Sequence, residues 1–594
     1  MNELSLSGKN WRYKIFDSTY VEYLKENFFL DEITAKLLSI RNIKKDSIKS
    51  FLEPSIKNLV PNPNTLRDME KTTLRLLKAI NENERIGIFG DYDVDGASST
   101  AIIGNYFKTI KQDFEIYIPD RRSEGYGPSI RSFQNLINKK VDLIITVDCG
   151  TMSFDAIDFA NENKVDVIVL DHHQSELNLP KAHSIINPNR FDDESKLNYL
   201  CAAGVCFMTL IAINSALRKQ GWFLEKKIKE PNLLDFLDLV SLGTVCDVVP
   251  LIGLNRAIVK QGLKVINSKK NLGLKTLIDL CKIETKASTY HLGYIIGPRI
   301  NAGGRVGKCS HGANLLLNKN PKESFQIATE LEQFNLDRKK LETDLLNVVL
   351  NTVNDDINDP VLVLYGKNWH EGVIGIIASR IKEKFNKPTV IISLKDNVGK
   401  ASARSVLGFD IGAVILAAIQ NKILMKGGGH KMAGGFSIEE NKIKKFKDFI
   451  TKMFNKKNNK SSRKNEIYLD SLISASALNF DFYKKVEKLS PFGSGNPEPK
   501  FIIENVKVLK SLIVGQNHIK SILLSKDGST IKTIAFNSYD TDLGQFLLNN
   551  KKNTFNIVGK LSLNEWRGEK NVEFIIDDIS VNKTHKKKVP SSIG

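Results

Sequence analysis

Three carboxylates stand at every second position of the stretch "IGIFGDYDVDGASST", which spans residues 86–100. They are Asp91, Asp93 and Asp95, and they follow an apolar run directly. Repulsion between ionised carboxylates this close raises the free energy of the stretch, so the pattern indicates a neutralising cation, either a metal ion or a basic partner. A solvated acidic turn between a strand and a helix would use the same residues, and this stretch alone leaves both interpretations open.

Further metal-ligand side chains follow two later apolar runs. The stretch "IITVDCGT" places Asp148 after one run, and "VIVLDHHQ" places Asp171, His172 and His173 after the next. Carboxylates together with imidazoles suit Mn²⁺, Mg²⁺ or Fe²⁺, and several carboxylates suit a pair of hard cations bridged by one of them. A single His-His pair after a strand is commonly a surface turn, but recurrence at several strand ends favours a metal site.

A fourth candidate lies in "SLGTVCDVVPL", where Asp247 follows the helix-like apolar segment "LLDFLDLVSLGTV". By itself an aspartate in this position is usually a helix cap or a turn residue. Asp247 becomes a candidate metal ligand only when it is considered together with the other acidic stretches.

The elements that must position these residues are indicated by four β-branched runs separated by polar helical stretches. The runs are "RIGIF", "FEIYIP", "VDLIITVD" and "VDVIVLD". Continuous apolar strands alternating with helices predict a parallel sheet with crossover helices. Asp91, Asp148 and Asp171 each end one strand, and sites in such sheets form beyond the carboxyl ends of the strands. We therefore expect these side chains to meet.

The rest of the chain predicts further units. A charged helix without glycine or proline covers about residues 323–353, and "PVLVLYG", "PTVIIS" and "LMKGGGHKMAGGFSI" then predict a second α/β unit. The polar, basic stretch "NKKNNKSSRKN" has the composition of a linker. The strand-like runs that follow it predict a small β-barrel.

The composition of the 594 residues limits the class of protein. With 41% apolar residues the chain is able to bury cores throughout, and its length suggests three or four domains. No apolar run reaches the roughly 18 residues of a membrane-spanning helix, and "MNELSLSGKNWRYKIF" lacks the order of a signal peptide. We expect a soluble, cytoplasmic protein.

Charge and cysteine content narrow the possible partners. The net charge of +19 favours a polyanion, of which nucleic acid is the commonest, although Lys-rich and Asn-rich composition also follows from a genome's base bias. The six cysteines form no C-x-x-C pair, so neither a zinc ribbon nor a disulfide framework is indicated.

In this order, "GDYDVDG", "VDCGT", "LDHHQ" and "GTVCDVVPL" resemble the four phosphoesterase motifs of the DHH family. Five more stretches resemble the RecJ branch of that family, whose members degrade single-stranded DNA from 5′ ends. They are "IPDRRSEGYG", "GPRINAGGRVG", "SARS", "GGGHKMAGG" and "PFGSGNPEP". The resemblance covers about residues 50 to 580.

The resemblance implies a fold of the α/β class. A parallel-sheet DHH domain would be joined by a long helix to a smaller α/β DHHA1 domain, followed by an OB-fold β-barrel. In this sequence we expect an N-terminal segment at 1–70, the DHH domain at 71–315, the connecting helix at 316–356, the DHHA1 domain at 357–455, a linker at 456–465, an OB-fold-like nucleic-acid-binding domain at 466–582 and a disordered tail at 583–594.

The resemblance also implies a centre of two Mn²⁺ or Mg²⁺ ions. Its ligands would come from Asp91, Asp93, Asp95, Asp148, His172 and Asp247, with Asp148 bridging the two ions. His173 would bind a metal or support a ligand, and Asp171 would orient its neighbours. Some relatives have a histidine where this chain has Phe89, which leaves open which of the first three aspartates bind directly. The residues expected to be catalytic are Asp91, Asp93, Asp148, His172, His173, Asp247 and His430.

A second set of residues is implied to bind DNA, mainly through phosphates. Arginines in glycine-rich loops suit this role because a guanidinium holds a phosphate with two hydrogen bonds, although each would also suit a surface ion pair. Clustered glycines let backbone N–H groups approach phosphates, but they also mark turns with positive φ. Tyr126 would stack on a base or pack within its turn. The set is Arg121, Tyr126, Arg299, Asn301, Arg305, Ser402, Arg404, Gly428, Gly429 and His430.

The function implied is a metal-dependent, single-stranded-DNA-specific 5′ to 3′ exonuclease that releases 5′-mononucleotides and acts in DNA repair and recombination. We expect a monomer, with single-strand-binding protein and a RecQ-type helicase as further partners and no membrane. One alternative is a DHH phosphodiesterase for short oligonucleotides or cyclic dinucleotides, which would not need the OB-like region. A DNA-binding replication or repair scaffold is the non-enzymatic alternative, and the intact acidic and histidine motifs argue against it.

Overall fold

The computed structural model describes residues 5–121, 123–356, 358–458, 466–550, 553–566 and 569–581. Most of the predicted linker, residues 459–465, and the whole predicted tail, residues 583–594, lie outside the described residues.

A parallel sheet forms the first unit, as the four β-branched runs predict. Its strands run in the order β3-β2-β4-β5-β6, and every neighbouring pair is parallel. An N-terminal segment of one strand and five helices precedes it: β1 (Asn10–Tyr13), α1 (Ser18–Phe28), α2 (Glu32–Ile40), α3 (Ile48–Leu52), α4 (Ile56–Leu59) and α5 (Met69–Glu82). The sheet and its crossover helices are β2 (Ile86–Gly90), α6 (Val94–Ile110), β3 (Phe114–Tyr117), α7 (Ile130–Asn138), β4 (Leu143–Val147), α8 (Phe154–Glu162), β5 (Asp166–Leu170) and β6 (Ser184–Ile186).

A helical layer completes the first unit and leads into the second. It comprises α9 (Ala202–Lys219), α10 (Trp222–Glu225), α11 (Leu237–Cys246), α12 (Gly253–Asn267), α13 (Leu272–Leu280), α14 (Gly297–Val306), α15 (His311–Leu317) and the long α16 (Pro321–Asp356). A π-helical segment, His291–Ile296, runs directly into α14.

One expectation about this layer is wrong: "GPRINAGGRVG" forms helix α14 rather than a glycine-rich loop. The glycines of this helix do not form a turn; they allow neighbouring side chains to pack closely against the helix. A Cβ on Gly304 would lie 2.9 Å from the Tyr92 ring, and one on Gly297 would lie 2.6 Å from the Cys246 sulfur.

The second α/β unit is built on a mixed sheet in the order β10-β11-β9-β8-β7. Its elements are β7 (Leu362–Lys367), α17 (Ile374–Phe385), β8 (Thr389–Lys395), β9 (Val398–Arg404), α18 (Ile411–Gln420), β10 (Lys426–His430), β11 (Ala433–Glu439) and α19 (Ile443–Asn458). The glycine-rich stretch predicted as a loop is the β10–β11 hairpin.

The C-terminal strands form a closed sheet, which confirms the predicted β-barrel. Their order is β13-β14-β15-β16-β18-β17, and pairing of β14 with β17 closes the ring. The elements are β12 (Glu466–Leu469), β13 (Ser471–Leu472), α20 (Phe480–Glu487), β14 (Phe501–Val514), β15 (His518–Ser525), β16 (Thr530–Ala535), α21 (Asp542–Asn549), β17 (Phe555–Trp566) and β18 (Glu569–Val581).

The N-terminal segment packs against this barrel. Strand β1 pairs in parallel with β12, and Val21 and Leu24 of α1 share one hydrophobic core with Phe501 and Phe555 of the barrel. The first and last parts of the chain therefore stabilise each other. Among the described residues, no helix has both the length and the apolar character needed to cross a membrane.

Candidate functional site

Strands β2, β4 and β5 end side by side, and the acidic residues that follow them meet at one edge of the sheet. Asp91 and Asp148 are almost fully buried there, 5% and 2% exposed, and Asp171 is 2% exposed. Asp148 adopts a positive φ of 62°, which turns the chain sharply after β4. The carboxyl ends of the strands thus converge as expected for an open parallel sheet.

The start of helix α6 positions Asp93 and Asp95. Asp93 caps the helix by accepting a hydrogen bond from the Gly96 N–H at 3.0 Å. Asp95 lies in the first turn and accepts hydrogen bonds from the Ala202 and Ala203 N–H groups at 2.7 and 3.0 Å. A Cβ on Gly96 would lie 2.5 Å from the Asp91 carbonyl oxygen, so only glycine allows this tight passage from strand to helix.

The His172–His173 turn is held by Asp171. The Asp171 carboxylate accepts hydrogen bonds from the N–H groups of His172 and His173 at 2.7 and 3.2 Å, and it lies 2.7 Å from Nδ1 of the His173 ring. Its second oxygen accepts the Thr151 N–H at 3.1 Å. Asp171 therefore orients its neighbours.

Two asparagines that sequence reasoning missed also fix this turn. Asn187 donates to the His173 carbonyl at 2.8 Å and to the Thr151 hydroxyl at 2.9 Å, and Asn189 donates to the His172 carbonyl at 2.5 Å. The signal was the "NPN" at residues 187–189 just after β6, whose asparagines are side chains able to bind backbone carbonyls.

His172 sits among three carboxylates. Its Nε2 lies 3.4 Å from Asp148 Oδ1, 3.6 Å from Asp247 Oδ2 and 3.8 Å from Asp95 Oδ2. Asp247 reaches this position because it directly follows the last residue of helix α11. The prediction of a helix directly before Asp247 is confirmed.

In the part of the chain that the structure describes, three linked groups of side chains have ligand atoms within 4.8 Å of one another. They are Asp91, Asp93 and Asp148; Asp148, His172 and His173; and Asp95, His172 and Asp247. Asp148 and His172 each belong to two groups, so the geometry suits neighbouring cations with shared ligands. Phe89, the position where some relatives have histidine, is fully buried and stacks on Tyr117.

Burial and mutual repulsion raise the pKa of the carboxylates. Burial, with the neighbouring aspartates, raises the pKa of Asp148 and Asp91 well above the usual range and that of Asp247 to about 8. Burial also lowers the pKa of His172. For His173 burial would lower the pKa, but the hydrogen bond to Asp171 raises it to about 9. Each of these carboxyl groups that ionises therefore adds negative charge that the protein alone does not compensate.

The side chains present fit divalent cations. Asp148 Oδ1 is buried and has no hydrogen-bond partner, which is costly unless a cation binds it. Carboxylate oxygens with one or two imidazoles are the donor set of Mn²⁺ or Mg²⁺ rather than of a soft metal.

Tyr126 borders the metal-ligand cluster. Its hydroxyl donates to the Asp148 carbonyl at 3.1 Å, and its ring lies edge-on to the His173 ring at 5.8 Å. The residue as a whole remains 54% exposed. The hydroxyl is therefore anchored to the cluster, while the residue stays accessible to solvent.

Of the four arginines predicted to bind phosphates, three interact electrostatically. Burial, together with the charges of Arg121, Arg338 and Arg404, lowers the pKa of Arg305 to about 10. Arg404 donates to the Ser402 hydroxyl at 3.1 Å.

Arg299 is placed differently from the other three. It forms an ion pair with Glu332 and donates to the Ile295 carbonyl at 2.7 Å. This is the ion-pair alternative that the sequence left open.

The remaining phosphate-binding candidates lie on α14 and on the β10–β11 hairpin. Asn301 is half-buried on α14, and His430 is exposed at the end of β10. A Cβ on Gly429 would lie 2.4 Å from the Ala433 carbonyl oxygen, whereas one on Gly428 would meet nothing within 4 Å. Gly429 thus serves close strand packing, whereas the space beside Gly428 is unfilled.

Three family models match the chain in order. The DHH family N-terminal domain matches residues 85–244, the DHHA1 domain matches residues 358–456, and the RecJ OB domain matches residues 469–578.

Characterised proteins and solved structures show the same relationship. The chain is 34% identical over 540 residues to the single-stranded-DNA-specific exonuclease RecJ of Escherichia coli, which covers 89% of this chain and 92% of that protein. It is 28% identical to the RecJ of Bacillus subtilis, over 97% of this chain and 71% of that one. The crystal structure of Thermus thermophilus RecJ in complex with Mn²⁺ superposes with a TM-score of 0.79 at 26% identity, over 97% of this chain and 80% of that chain.

Proposed function

The chain belongs to the RecJ family of single-stranded-DNA-specific exonucleases, and we propose that it hydrolyses single-stranded DNA at the cluster of carboxylates and imidazoles beyond β2, β4 and β5. The observation that carries this proposal is the sharing of Asp148 and His172 between overlapping ligand groups in a buried, negatively charged pocket. The cofactors are Mn²⁺ or Mg²⁺, most simply as two ions.

When bound, such ions polarise the scissile phosphate and lower the pKa of a bound water. Asp91, Asp93, Asp95, Asp148, His172 and Asp247 would hold them, and Asp148 suits the shared position because it belongs to two of the groups. Asp171 keeps the His172–His173 turn in place through three hydrogen bonds from backbone N–H groups.

The arginines supply positive charge for the DNA backbone. The charges of Arg121 and Arg404 act on Arg305, and a phosphate bound by these arginines would relieve that repulsion. Ser402, Asn301, His430 and the unfilled space beside Gly428 would complete the phosphate contacts, and the exposed Tyr126 would stack on a base. Arg299 would contribute only after release from Glu332.

Polarity, product and cellular role are part of the proposal. We propose attack from 5′ ends with release of 5′-mononucleotides, in DNA repair and recombination, by a cytoplasmic monomer. Single-strand-binding protein and a RecQ-type helicase are the proposed partners.

Single-stranded DNA labelled at either end tests the proposal directly. We expect Mn²⁺ or Mg²⁺ to support release of mononucleotides from the 5′-labelled end at once and from the 3′ label only late, with no cleavage in EDTA. A circular single strand should remain intact. Cleavage of the circle, or of dinucleotides alone, would favour the phosphodiesterase alternative, and DNA binding without cleavage in either metal would favour the scaffold.

A further inference from the structure

The motif "PFGSGNPEP", residues 491–499, supplies no residue to the proposed chemistry, yet it lies against the loop that carries Asp247 away from α11. The Leu251 N–H donates to the Ser494 carbonyl at 2.8 Å. The motif forms a tight turn here, because the N–H groups of Gly493 and Asn496 donate to each other's carbonyls at 2.9 and 3.1 Å.

Two glycines of the motif are required for this approach. A Cβ on Gly493 would lie 2.7 Å from Cδ1 of Leu251. Gly495 has a φ of 71°, and a Cβ there would lie 3.1 Å from Cβ and 3.3 Å from Cα of Pro250. A side chain at position 495 would require Pro250 to shift, and one at position 493 would require the Leu251 side chain to move.

The loop adopts a conformation that needs support from outside. Val248, directly after Asp247, has a φ of 61° and is 68% exposed. A β-branched residue in the left-handed region is strained, and such strain persists only where the surroundings impose it. The Leu251–Ser494 hydrogen bond and the packing of Gly495 on Pro250 are contacts from the C-terminal part of the chain that fix the residues after Val248.

The motif itself is held rigidly. Asn496 is 1% exposed; its side-chain N–H groups donate to the Leu489 and Pro491 carbonyls at 2.8 and 2.9 Å, and its Oδ1 accepts from Arg41 Nε at 2.9 Å. Arg256 of α12 donates to the carbonyls of Leu489 and Ser490, both at 2.7 Å. The motif is thus fixed between the N-terminal segment and the first unit.

From these contacts we propose that the 491–499 motif positions Asp247 for metal binding. The motif acts as a brace: it fixes residues 250 and 251, and these hold the strained Val248 so that the Asp247 carboxylate faces His172 and Asp95. The inference rests on the proposed metal site, but not on the substrate or on the direction of hydrolysis.

The test compares Gly495→Ala with Gly528→Ala. Both glycines have positive φ, 71° and 83°, but a Cβ on Gly528 meets nothing within 4 Å, so the control carries the same backbone strain without the contact. Mn²⁺ binding is titrated by electron paramagnetic resonance in the full-length proteins without DNA. We expect about tenfold weaker binding of one class of Mn²⁺ in Gly495→Ala, the range seen when residues that orient ligands are removed. Affinity for a metal-free single-stranded oligonucleotide should stay unchanged.

A second background and a replacement variant distinguish failure of the brace from failure of the metal site. In an Asp247→Asn background, Gly495→Ala should weaken Mn²⁺ binding no further, because the brace acts through that carboxylate. If Gly495→Ala does not fold, Gly493→Ala takes its place. Wild-type Mn²⁺ affinity in the glycine variant, or an equal loss in Gly528→Ala, would overturn the brace while leaving the proposed function standing. Absence of Mn²⁺ binding in the wild type would reject the metal site itself.

Discussion

The metal-ligand cluster and the surroundings of Arg256 both bury charged groups, but only the surroundings of Arg256 supply every such group with hydrogen-bond partners. Arg256 is 1% exposed, and its guanidinium donates to the carbonyls of Phe51, Leu489, Ser490 and Pro491 while lying 3.9 Å from the Phe51 ring. Burial lowers its pKa to about 9, so it stays charged at neutral pH with a partner for each nitrogen.

The cluster around Asp148 is left incomplete. Its carboxylates repel one another, and Asp148 Oδ1 has no donor. A buried charge whose hydrogen-bond partners all come from the protein connects parts of the chain. A buried charge without such partners indicates a binding site for a ligand or ion. Substitutions in the two regions should therefore differ in kind.

The largest effect is expected for Asp148→Asn. Asparagine tolerates the positive φ of this position, so the backbone should be kept while a shared ligand is lost. We expect kcat to fall by about 10³-fold or more with DNA binding retained, and the metal-free protein to unfold at higher urea because a repelling charge is gone. The exposed Asp158→Asn on α8 is the control. Activity within tenfold of wild type in saturating Mn²⁺ would remove Asp148 from the site.

Arg256→Met should have the opposite effect: it should lower the free energy of unfolding rather than act directly on hydrolysis. Four carbonyl groups lose their donor, which costs about 3–5 kcal/mol for a buried hydrogen-bonded charge. Arg218→Met is the matched control, because Arg218 is 62% exposed and pairs with Glu230 at the surface. Its expected loss is under about 1 kcal/mol. Urea unfolding in EDTA measures both, and equal losses would erase the contrast between the two regions.

Asp238 provides an intermediate case, a buried carboxylate at the opposite end of α11 from Asp247. Burial raises its pKa to about 7. The folded state therefore holds a proton that the unfolded state has lost, so stability falls as pH rises from about 4 to 7 and stays low above that. Asp238→Asn should remove this fall and stabilise the protein by about 2 kcal/mol at pH 8.

Urea unfolding of both proteins at pH 4.5 and pH 8 measures this difference in stability. A gain of the same size at the two pH values would show that hydrogen bonding rather than ionisation is responsible.

The smallest effect is expected for Arg404→Ala, which removes a cation that donates to one backbone carbonyl, that of Ala403, rather than to four. We expect kcat/KM on 5′-phosphorylated single strands to fall by a factor that corresponds to about 1–2 kcal/mol of lost transition-state stabilisation, the range for one charge-assisted contact. Strands with a 5′-hydroxyl should lose less. Arg380→Ala, 59% exposed and paired with Glu342, serves as control in the same unit. An equal loss on both kinds of strand would assign Arg404 to the internal backbone instead of the terminus.

Much of the site was predictable because its signals are local. Continuous apolar runs defined β2, β4 and β5, and an acidic residue after each run placed Asp91, Asp148 and Asp171 at one edge of a parallel sheet. The helix before Asp247 was equally visible as an apolar segment.

What the sequence did not predict depends on contacts between distant residues. The glycines of α14 suggested a loop, since their need for close packing against Tyr92 and Cys246 is set by tertiary structure. The same holds for the pairing of Arg299 with Glu332 and for the carbonyls around Arg256. Local patterns specify elements, whereas a polar side chain's partner is specified only by the assembled fold.

The shared core of the N-terminal helices and the barrel has a consequence for biosynthesis. Val21 and Leu24 leave the ribosome early, but Phe501 and Phe555, which cover them, emerge only after most of the chain has been made. At about 5–20 residues per second this delay is roughly half a minute to nearly two minutes. During that time the first sheet and the second α/β unit have their own partners, while the amphipathic α1 and α2 do not. We expect the nascent chain to expose this surface to chaperones until the barrel strands emerge.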